Sequence, residues 1–491
     1  MALHSLTVRT LAKATAKATI SAARAAAFRI LREVEDGRMH SDDLLRTRAV
    51  NRLSAVDRNL ATALVLGVLR WQIWLDHEVK QLLAKPNAKL DPPIRIALRM
   101  GALQLLRMER IPARAAIDES VELTKSSGHH FASRMVNAVL RKLAVKVEKG
   151  SASGHDFSRA EDATKQDGAS APAARNAAEL ALATAHPAWL VERWVAHFGL
   201  DQALALCTHG QSQSALNLRL ADPAAEAELA SEGVTLAPGS LLSAARTVVS
   251  GDATATHAFR EGRIRMQDEG SQLVAELAAV CTAPNRKIEK IGDVCAAPGG
   301  KTLILAERFP QAKIVACEAS ETRAEQLAKR LAILSPRVVC HIVDASTLGA
   351  GEAFDLVLAD VPCSGTGTLG RNPEIRHRLT LDDFARQAER QRAILAAALH
   401  ALAPGGRLIY STCSLEPEEN ELVVAAVLAE DSSARQISLA EAIHTLDARG
   451  LLAAGALERL RNSLTAEGAL RLLPGAMPTD GFFVALIERV G

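Results

Sequence analysis

The chain has 491 residues, of which 48% are hydrophobic and 3% aromatic, and its formal net charge is +2. This length is enough for two or three domains, each with its own core. No apolar run approaches the roughly 20 residues of a membrane-spanning helix, which excludes a helical membrane protein. The seven cysteines lack the spacing of a disulfide framework or a zinc site, which favours the reducing cytoplasm and no metal.

Charge is distributed unevenly along the chain. Residues 1–145 carry 24 Lys and Arg against 13 Asp and Glu, whereas the remaining residues carry 34 against 43. A basic first part predicts contact with a polyanion, although a solvated helical surface without a partner remains the alternative on charge alone. Residues 1–20 contain no acid, which we interpret as a basic tail, and an organelle transit peptide has a similar composition.

Residues 21–147 show helical periodicity throughout. Ala27, Ile30, Leu31 and Val34 illustrate the spacing, and prolines separate successive apolar stretches. This pattern predicts an all-α domain of about six helices.

The middle of the chain contains two segments with different sequence patterns. Residues 148–178 have almost no large apolar side chain, which predicts a flexible linker. Between residues 179 and 280, short strand candidates at 216–220 and 234–236 alternate with helical segments. We therefore expect a small α/β connecting domain there.

From residue 281 to the end, strands and helices alternate. This alternation predicts a mostly parallel sheet with helices on both faces, in the manner of a Rossmann-like fold. The strand candidates are residues 288–294, 313–317, 338–343, 354–359, 407–411 and 482–487.

A glycine-rich segment, Asp-Val-Cys-Ala-Ala-Pro-Gly-Gly-Lys-Thr at 293–302, follows the first of these strands. Small residues and the Gly299–Gly300 pair allow backbone amides to approach a ligand at the carboxyl end of a strand. The segment is neither GxGxxG nor a P-loop, which disfavours phosphate binding of those types. A Gly-Gly pair on its own is more often a plain tight turn.

Two acidic residues follow the next two strands. Glu318 ends the second strand, where such folds bind ribose hydroxyls, and Asp344 follows the third, where it could accept from an adenine amino group. Either acid alone would more often be a solvated loop carboxylate. Together, at successive strand ends, they predict a nucleoside site.

Two cysteines also follow strands. Cys363 lies in the run Asp360-Val361-Pro362-Cys363, and Cys413 follows Thr412, so both are expected at the sheet edge that carries the glycine-rich loop. A cysteine in apolar surroundings is usually inert. That interpretation applies to Cys207, Cys281, Cys317 and Cys340.

Several of these runs resemble the RNA cytosine-C5 methyltransferases of the Nop/Sun family. The segments that carry the resemblance, in the same order, are 267–271, 293–302, 360–367, 371–374, 411–414 and 480–483. Upstream, 136–141 and 186–190 resemble family members that act on ribosomal RNA and carry a NusB-like helical RNA-binding domain. Glu318 departs from the pattern, because many members have Asp there, but either acid can hold a ribose.

The resemblance implies three domains: an N-terminal all-α NusB-like domain, a small α/β connecting domain, and a C-terminal α/β Rossmann-like class I methyltransferase domain. It also implies S-adenosylmethionine as the cofactor. The residues it assigns to the cofactor are Cys295, Ala296, Ala297, Pro298, Gly299, Gly300, Lys301, Glu318, Asp344 and Asp360.

For catalysis the resemblance implies Cys413 as the nucleophile and Cys363 as a residue that assists product release, with Asp360 at base N3 and Lys301 closing the cofactor loop. Chemistry alone does not choose between the thiols, because DNA cytosine-C5 enzymes use the Pro-Cys residue. The expected reaction is methylation of one cytosine in 16S ribosomal RNA by a monomer. Transfer RNA as the substrate, or a non-catalytic RNA-binding factor, are the alternatives.

Overall fold

In the computed structural model, the described residues are 19–37, 39–151, 176–283 and 286–490. Most of the predicted tail at 1–20 and the central part of the predicted linker at 148–178 lie outside them. The chain divides into two compact units, Met1–Ala173 and Ala174–Gly491. Among the described residues, no helix combines the length and apolar character needed to cross a bilayer.

The described part of the first unit is helical, as its periodicity predicts. Pro92 opens α5, where a missing N–H costs nothing, and Gly101 lets α5 pack closely, because an added Cβ would come within 2.5 Å of Leu140 on α7. The α-helices are α1 (Ala22–Glu35), α2 (Ser41–Leu45), α3 (Arg48–Asn51), α4 (Ala55–Leu82), α5 (Pro92–Arg107), α6 (Ala113–Ser126) and α7 (Ser133–Ser151).

The second unit begins with three helices rather than a strand. They are α8 (Ala177–Ala183), α9 (Ala188–Phe198) and α10 (Leu200–Gln211). Their buried side chains share a core with Leu369, Phe384 and Leu415 from much later in the chain. These helices are therefore packed on the part of the unit that carries the cysteines.

A small antiparallel sheet follows, in the order β2-β3-β1-β4. Its elements are β1 (Asn217–Leu220), α11 (Ala225–Ser231), β2 (Thr235–Pro238), β3 (Ala245–Ser250), α12 (His257–Arg260) and β4 (Ile264–Met266). The connectivity is the β-α-β-β-α-β arrangement of ferredoxin-like domains. Leu218 packs in this subdomain's own core, whereas the buried Arg219 forms ion pairs with Glu276 and Glu307 of the following helices.

The large sheet contains every strand predicted from residue 281 onward. Its strands are β5 (Lys290–Asp293), β6 (Lys313–Glu318), β7 (Val338–Ile342), β8 (Phe354–Asp360), β9 (Leu402–Thr412), β10 (Ala434–Ile437), β11 (Leu470–Leu472) and β12 (Phe482–Arg489). The order is β10-β12-β9-β8-β5-β6-β7, with β11 paired to β12. Strands β7, β6, β5, β8 and β9 are parallel, and β12 runs antiparallel to β9.

Helices cover both faces of this sheet, as predicted. They are α13 (Glu269–Val280), α14 (Gly300–Arg308), α15 (Glu321–Leu331), α17 (Leu381–His400), α18 (Glu421–Glu430), α19 (Ala440–Ala448) and α20 (Ala456–Arg461). The short helix α16 (Ile375–Arg378) packs instead on the core of α8, α9 and α10. The chain proceeds outward from β5 to β6 and β7, then returns to β8 on the other side of β5. This reversal creates a crevice at the carboxyl ends of β5 and β8, where α/β proteins bind their ligands.

Candidate active site

The glycine-rich loop leaves β5 at this crevice and enters α14. Gly299 has a φ of +95°, and an added Cβ would lie 2.8 Å from Leu327 on α15, so a side chain there would be both strained and obstructed. Arg323 and Arg330 of α15 donate to the carbonyl oxygens of Ala297 and Pro298. Two arginine side chains of α15 thus fix the backbone of the loop.

A buried carboxyl group, Asp293, lies where β5 ends. The Thr302 hydroxyl donates to its Oδ2 at 2.7 Å, while Oδ1 has no hydrogen-bond partner among the described residues. Burial raises the pKa of Asp293 to about 7, and the hydrogen bond from Thr302 opposes that shift. An unpartnered buried carboxyl oxygen costs stability, which indicates a place for a hydrogen-bond donor from a ligand.

Glu318 and Asp344 end the two neighbouring strands. Glu318 is buried at the end of β6, and its Oε1 accepts from the Ser320 backbone N–H at 2.9 Å. Asp344 is exposed after β7, where the backbone and side chain of Ser346 donate to Oδ1 and lower its pKa. The two acids and the glycine-rich loop therefore lie on adjacent strand ends.

This donor and acceptor set fits S-adenosylmethionine. The unpartnered Asp293 Oδ1 suits the ammonium of the amino-acid part, and Glu318 suits the ribose hydroxyls. The exposed Asp344 is suited to an adenine amino group. The predicted residues Cys295 and Ala296 lie in the same loop, where burial keeps the Cys295 thiol protonated by raising its pKa.

On the other side of the crevice, Lys301 and Asp360 form an ion pair. Lys301 Nζ lies 2.6 Å from Asp360 Oδ2, and the Ser411 hydroxyl donates to Oδ1 at 2.7 Å. Burial works to lower the pKa of Lys301, but the neighbouring Asp360 carboxylate more than offsets it, so the pKa is raised. Lys301 is consequently a stable ammonium in this site.

The two cysteine thiols meet beside this pair. Cys363 Sγ and Cys413 Sγ are 3.3 Å apart, although the residues lie 50 positions apart in the chain. The hydrogen bond to Cys413 raises the pKa of Cys363 well above its ordinary value, and burial raises it further. The raised pKa favours a protonated Cys363, and the distance allows its S–H to donate to the sulfur of Cys413.

Three site residues have no counterpart among the sequence predictions: Asp293, Ser411 and Glu419. Asp293 carries a usable signal, because it ends the first strand of the sheet. Glu419 sits in an acidic run that resembles a solvated helix start, yet it is fully buried. Within the described residues, no group of three or more His, Cys, Asp or Glu is placed to hold a metal ion.

The sheet order, the crevice and the acids at successive strand ends define a class I methyltransferase that uses S-adenosylmethionine. Comparison with known families agrees. A family model described as 16S rRNA methyltransferase RsmB/F matches residues 280–488, and the NusB family model matches residues 21–145. The chain belongs to the RsmB/F family of RNA methyltransferases.

Two relatives can be aligned with most of this chain. The probable ribosomal RNA small subunit methyltransferase B of Bacillus subtilis is 31% identical over 480 residues, covering 95% of this chain and 98% of the relative. The ribosomal RNA small subunit methyltransferase B of Pseudomonas putida is 32% identical over 432 residues, covering 85% of this chain and 91% of the relative.

Solved structures show the same fold. The crystal structure of PH0851 has a TM-score of 0.72 at 23% identity and covers 96% of this chain and all of its own. NSun6 from Pyrococcus horikoshii, crystallised with SFG, has a TM-score of 0.51 at 19% identity and covers 62% of this chain and 98% of its own.

Proposed function

We propose that this chain methylates carbon 5 of one cytosine in 16S ribosomal RNA, through a covalent bond between Cys413 and carbon 6 of the base. The observation that carries the proposal is the 3.3 Å contact between the two thiols, beside the Lys301–Asp360 pair and the cofactor crevice. The names of full-length relatives support ribosomal RNA as the substrate. We propose a cytoplasmic monomer that acts on free or early-assembly RNA.

The chemistry follows from the weak nucleophilicity of carbon 5. Cys413 adds through its thiolate to carbon 6, and the electron pair of the C5=C6 bond moves to carbon 5. When bound, S-adenosylmethionine supplies the electrophilic methyl group. After transfer, the carbon 5 proton leaves to solvent, the C5=C6 bond re-forms, and the C6–S bond breaks with its electron pair returning to Cys413.

The neighbouring side chains assist release of the thiolate and bind the base. Cys363 donates its S–H to the sulfur of Cys413 and so stabilises the thiolate as it leaves carbon 6. Asp360, held by hydrogen bonds from Lys301 and Ser411, is the residue that we place at base N3, and the Lys301 ammonium beside it adds a donor to the same site. The target base must be unstacked to reach these groups.

Bisulfite sequencing of total RNA tests the reaction and its substrate together. In cells that carry the wild-type gene, we expect one cytosine of 16S ribosomal RNA to resist conversion, and in cells with Cys413→Ala it should convert. Cys207→Ala is the matched control, because that thiol is buried in α10 with a pKa raised by burial to about 12. Resistance in a transfer RNA instead would contradict 16S specificity, and no resistant cytosine would contradict the reaction.

The positive charge of the first, helical unit predicts that this unit contributes to RNA affinity and that its contribution weakens as salt is added. Arg134, Arg141 and Lys142 are exposed on α7. If they neutralise phosphates, changing all three to Gln should weaken binding and reduce the slope of log affinity against log salt by about 2 to 3, as counterion release requires. Filter binding of the full chain to 16S ribosomal RNA across a salt series measures this slope.

The control for this series removes as many charges from the second unit. Lys287, Lys313 and Arg449 are exposed there, and changing them to Gln should leave the slope unchanged. Equal slopes for the α7 variant and the wild type would show that α7 does not contact the phosphate backbone.

A further inference from the structure

A buried carboxylate lies between the two cysteine loops. Glu419 ends the short 3-10 turn Pro417–Glu419 that follows β9, and its side chain is fully buried. Its Oε1 accepts from the Ser364 backbone N–H at 2.8 Å and from Gln391 Nε2 at 3.1 Å. Its Oε2 accepts short hydrogen bonds from the hydroxyls of Ser364 and Ser414.

Within the described residues, the groups that donate to Glu419 are all neutral. An ionised carboxylate offers about four acceptor positions, and four donors approach this one. Burying a charge without a cation is costly even when it is well hydrogen-bonded, and a hydrophobic residue of similar volume would often cost less. Because a buried carboxylate of this kind can also be structural, it is the position of Glu419 beside the two thiols that indicates a role in the site.

The donors to Glu419 are adjacent to the thiols. Ser364 directly follows Cys363 in the loop after β8, and Ser414 directly follows Cys413 in the loop after β9. The two hydroxyls are also 3.1 Å from each other. One carboxylate therefore connects the loops next to both thiols, in addition to the backbone hydrogen bond from the Gly367 N–H to the Cys413 carbonyl oxygen.

The charge of Glu419 also acts on the thiol pair. After the hydrogen bond to Cys413 and burial, the negative charge of Glu419 is a further reason that the pKa of Cys363 is raised. A negative charge in this place adds to the effects of Cys413 and of burial, and so favours the protonated form of Cys363.

We propose that Glu419 is a positioning residue that holds Cys363 against Cys413 and so controls breakdown of the covalent intermediate. The inference rests on the proposed function, because it requires an adduct through Cys413. Glutamine at this position keeps one oxygen for the two N–H donors, but its NH₂ can only donate to the two serine hydroxyls, so the charge-assisted hydrogen bonds that join the loops are lost. Misplacing a catalytic group by about 1 Å costs on the order of a hundredfold in rate.

The test measures turnover and adduct in the full chain. We expect Glu419→Gln to lower kcat by about a hundredfold and to accumulate a covalent RNA adduct on denaturing electrophoresis. The KM for RNA should fall with kcat, because only a step after adduct formation is slowed and kcat/KM is then nearly unchanged. The second variant, Ser364→Ala with Ser414→Ala, keeps the carboxylate but removes two donors, and it should show the same pattern more weakly. Thermal unfolding checks that both proteins are folded.

Glu269→Gln is the matched control. Glu269 is also buried, and the described groups that donate to its carboxylate are neutral, namely the backbone N–H groups of Ser240, Leu241 and Leu242. Its loss should cost comparable stability while leaving kcat near the wild-type value and trapping no adduct.

A double variant separates positioning from general damage. If Glu419 acts through Cys363, Glu419→Gln in a Cys363→Ala background should form adduct as fast as Cys363→Ala alone. Additive slowing of adduct formation, or equal behaviour of Glu419→Gln and Glu269→Gln, would overturn the inference. Absence of any adduct with Cys363→Ala would instead remove the proposed reaction, so the two failures are distinguishable.

Discussion

Cys413→Ala should abolish methyl transfer and form no covalent adduct, whereas Cys363→Ala should trap one. Removing the nucleophile of a covalent mechanism lowers kcat on the order of a thousandfold or more. Without Cys363, Cys413 can still add to carbon 6, but no S–H lies 3.3 Å from the leaving sulfur to stabilise it. Denaturing electrophoresis of enzyme incubated with labelled RNA and S-adenosylmethionine distinguishes the two outcomes.

Cys340→Ala provides the control, because Cys340 lies on β7 away from the thiol pair and should behave as the wild type. The reverse pattern, with an adduct trapped by Cys413→Ala, would make Cys363 the nucleophile, as in the DNA enzymes. No adduct with any variant, including on RNA that contains 5-fluorocytosine, would remove covalent catalysis altogether.

The parts of the site that the sequence predicts are those tied to strand ends. Hydrophobic runs locate β5, β6, β7, β8 and β9, and the carboxyl ends of parallel strands share one edge. Glu318, Asp360 and Cys413 therefore come together without any knowledge of their side-chain contacts. The short strands β10 and β11, at the other end of the sheet, are not among the predicted strands.

The parts that the sequence does not predict depend on contacts between distant residues. Glu419 and Ser364 are 55 positions apart, and nothing local distinguishes this buried glutamate from its acidic neighbours. A second example lies on the same loop, where Glu416 accepts from Trp194 Nε1 at 3.0 Å and pairs with Arg193 of α9. The helical start of the second unit thus supports the loop of Cys413, which composition alone could not indicate.

The second large effect is expected on cofactor binding, when the two acids at the strand ends of the crevice are removed. Glu318→Ala with Asp344→Ala should weaken binding of S-adenosylmethionine by at least about a hundredfold, because each hydrogen bond to a charged group contributes about 1.5–3 kcal/mol. Calorimetry on the full chain without RNA or metal should show clear binding by the wild type. The thiol chemistry is separate, so adduct formation should recover at saturating cofactor.

Two other acids serve as a control that shows whether the loss of cofactor affinity comes from the position of the removed acids or from their charge. Glu289 and Glu352 precede β5 and β8, at the opposite edge of the same sheet, and pair with Lys287 and Lys290. Glu289→Ala with Glu352→Ala removes the same charge but should leave the affinity for S-adenosylmethionine within about twofold, because rim charges act weakly through solvent. If Glu318→Ala with Asp344→Ala bound S-adenosylmethionine as tightly as the wild type does, the cofactor would have to bind elsewhere. Equal losses in both variants would mean that net charge, rather than contact at the strand ends, governs binding.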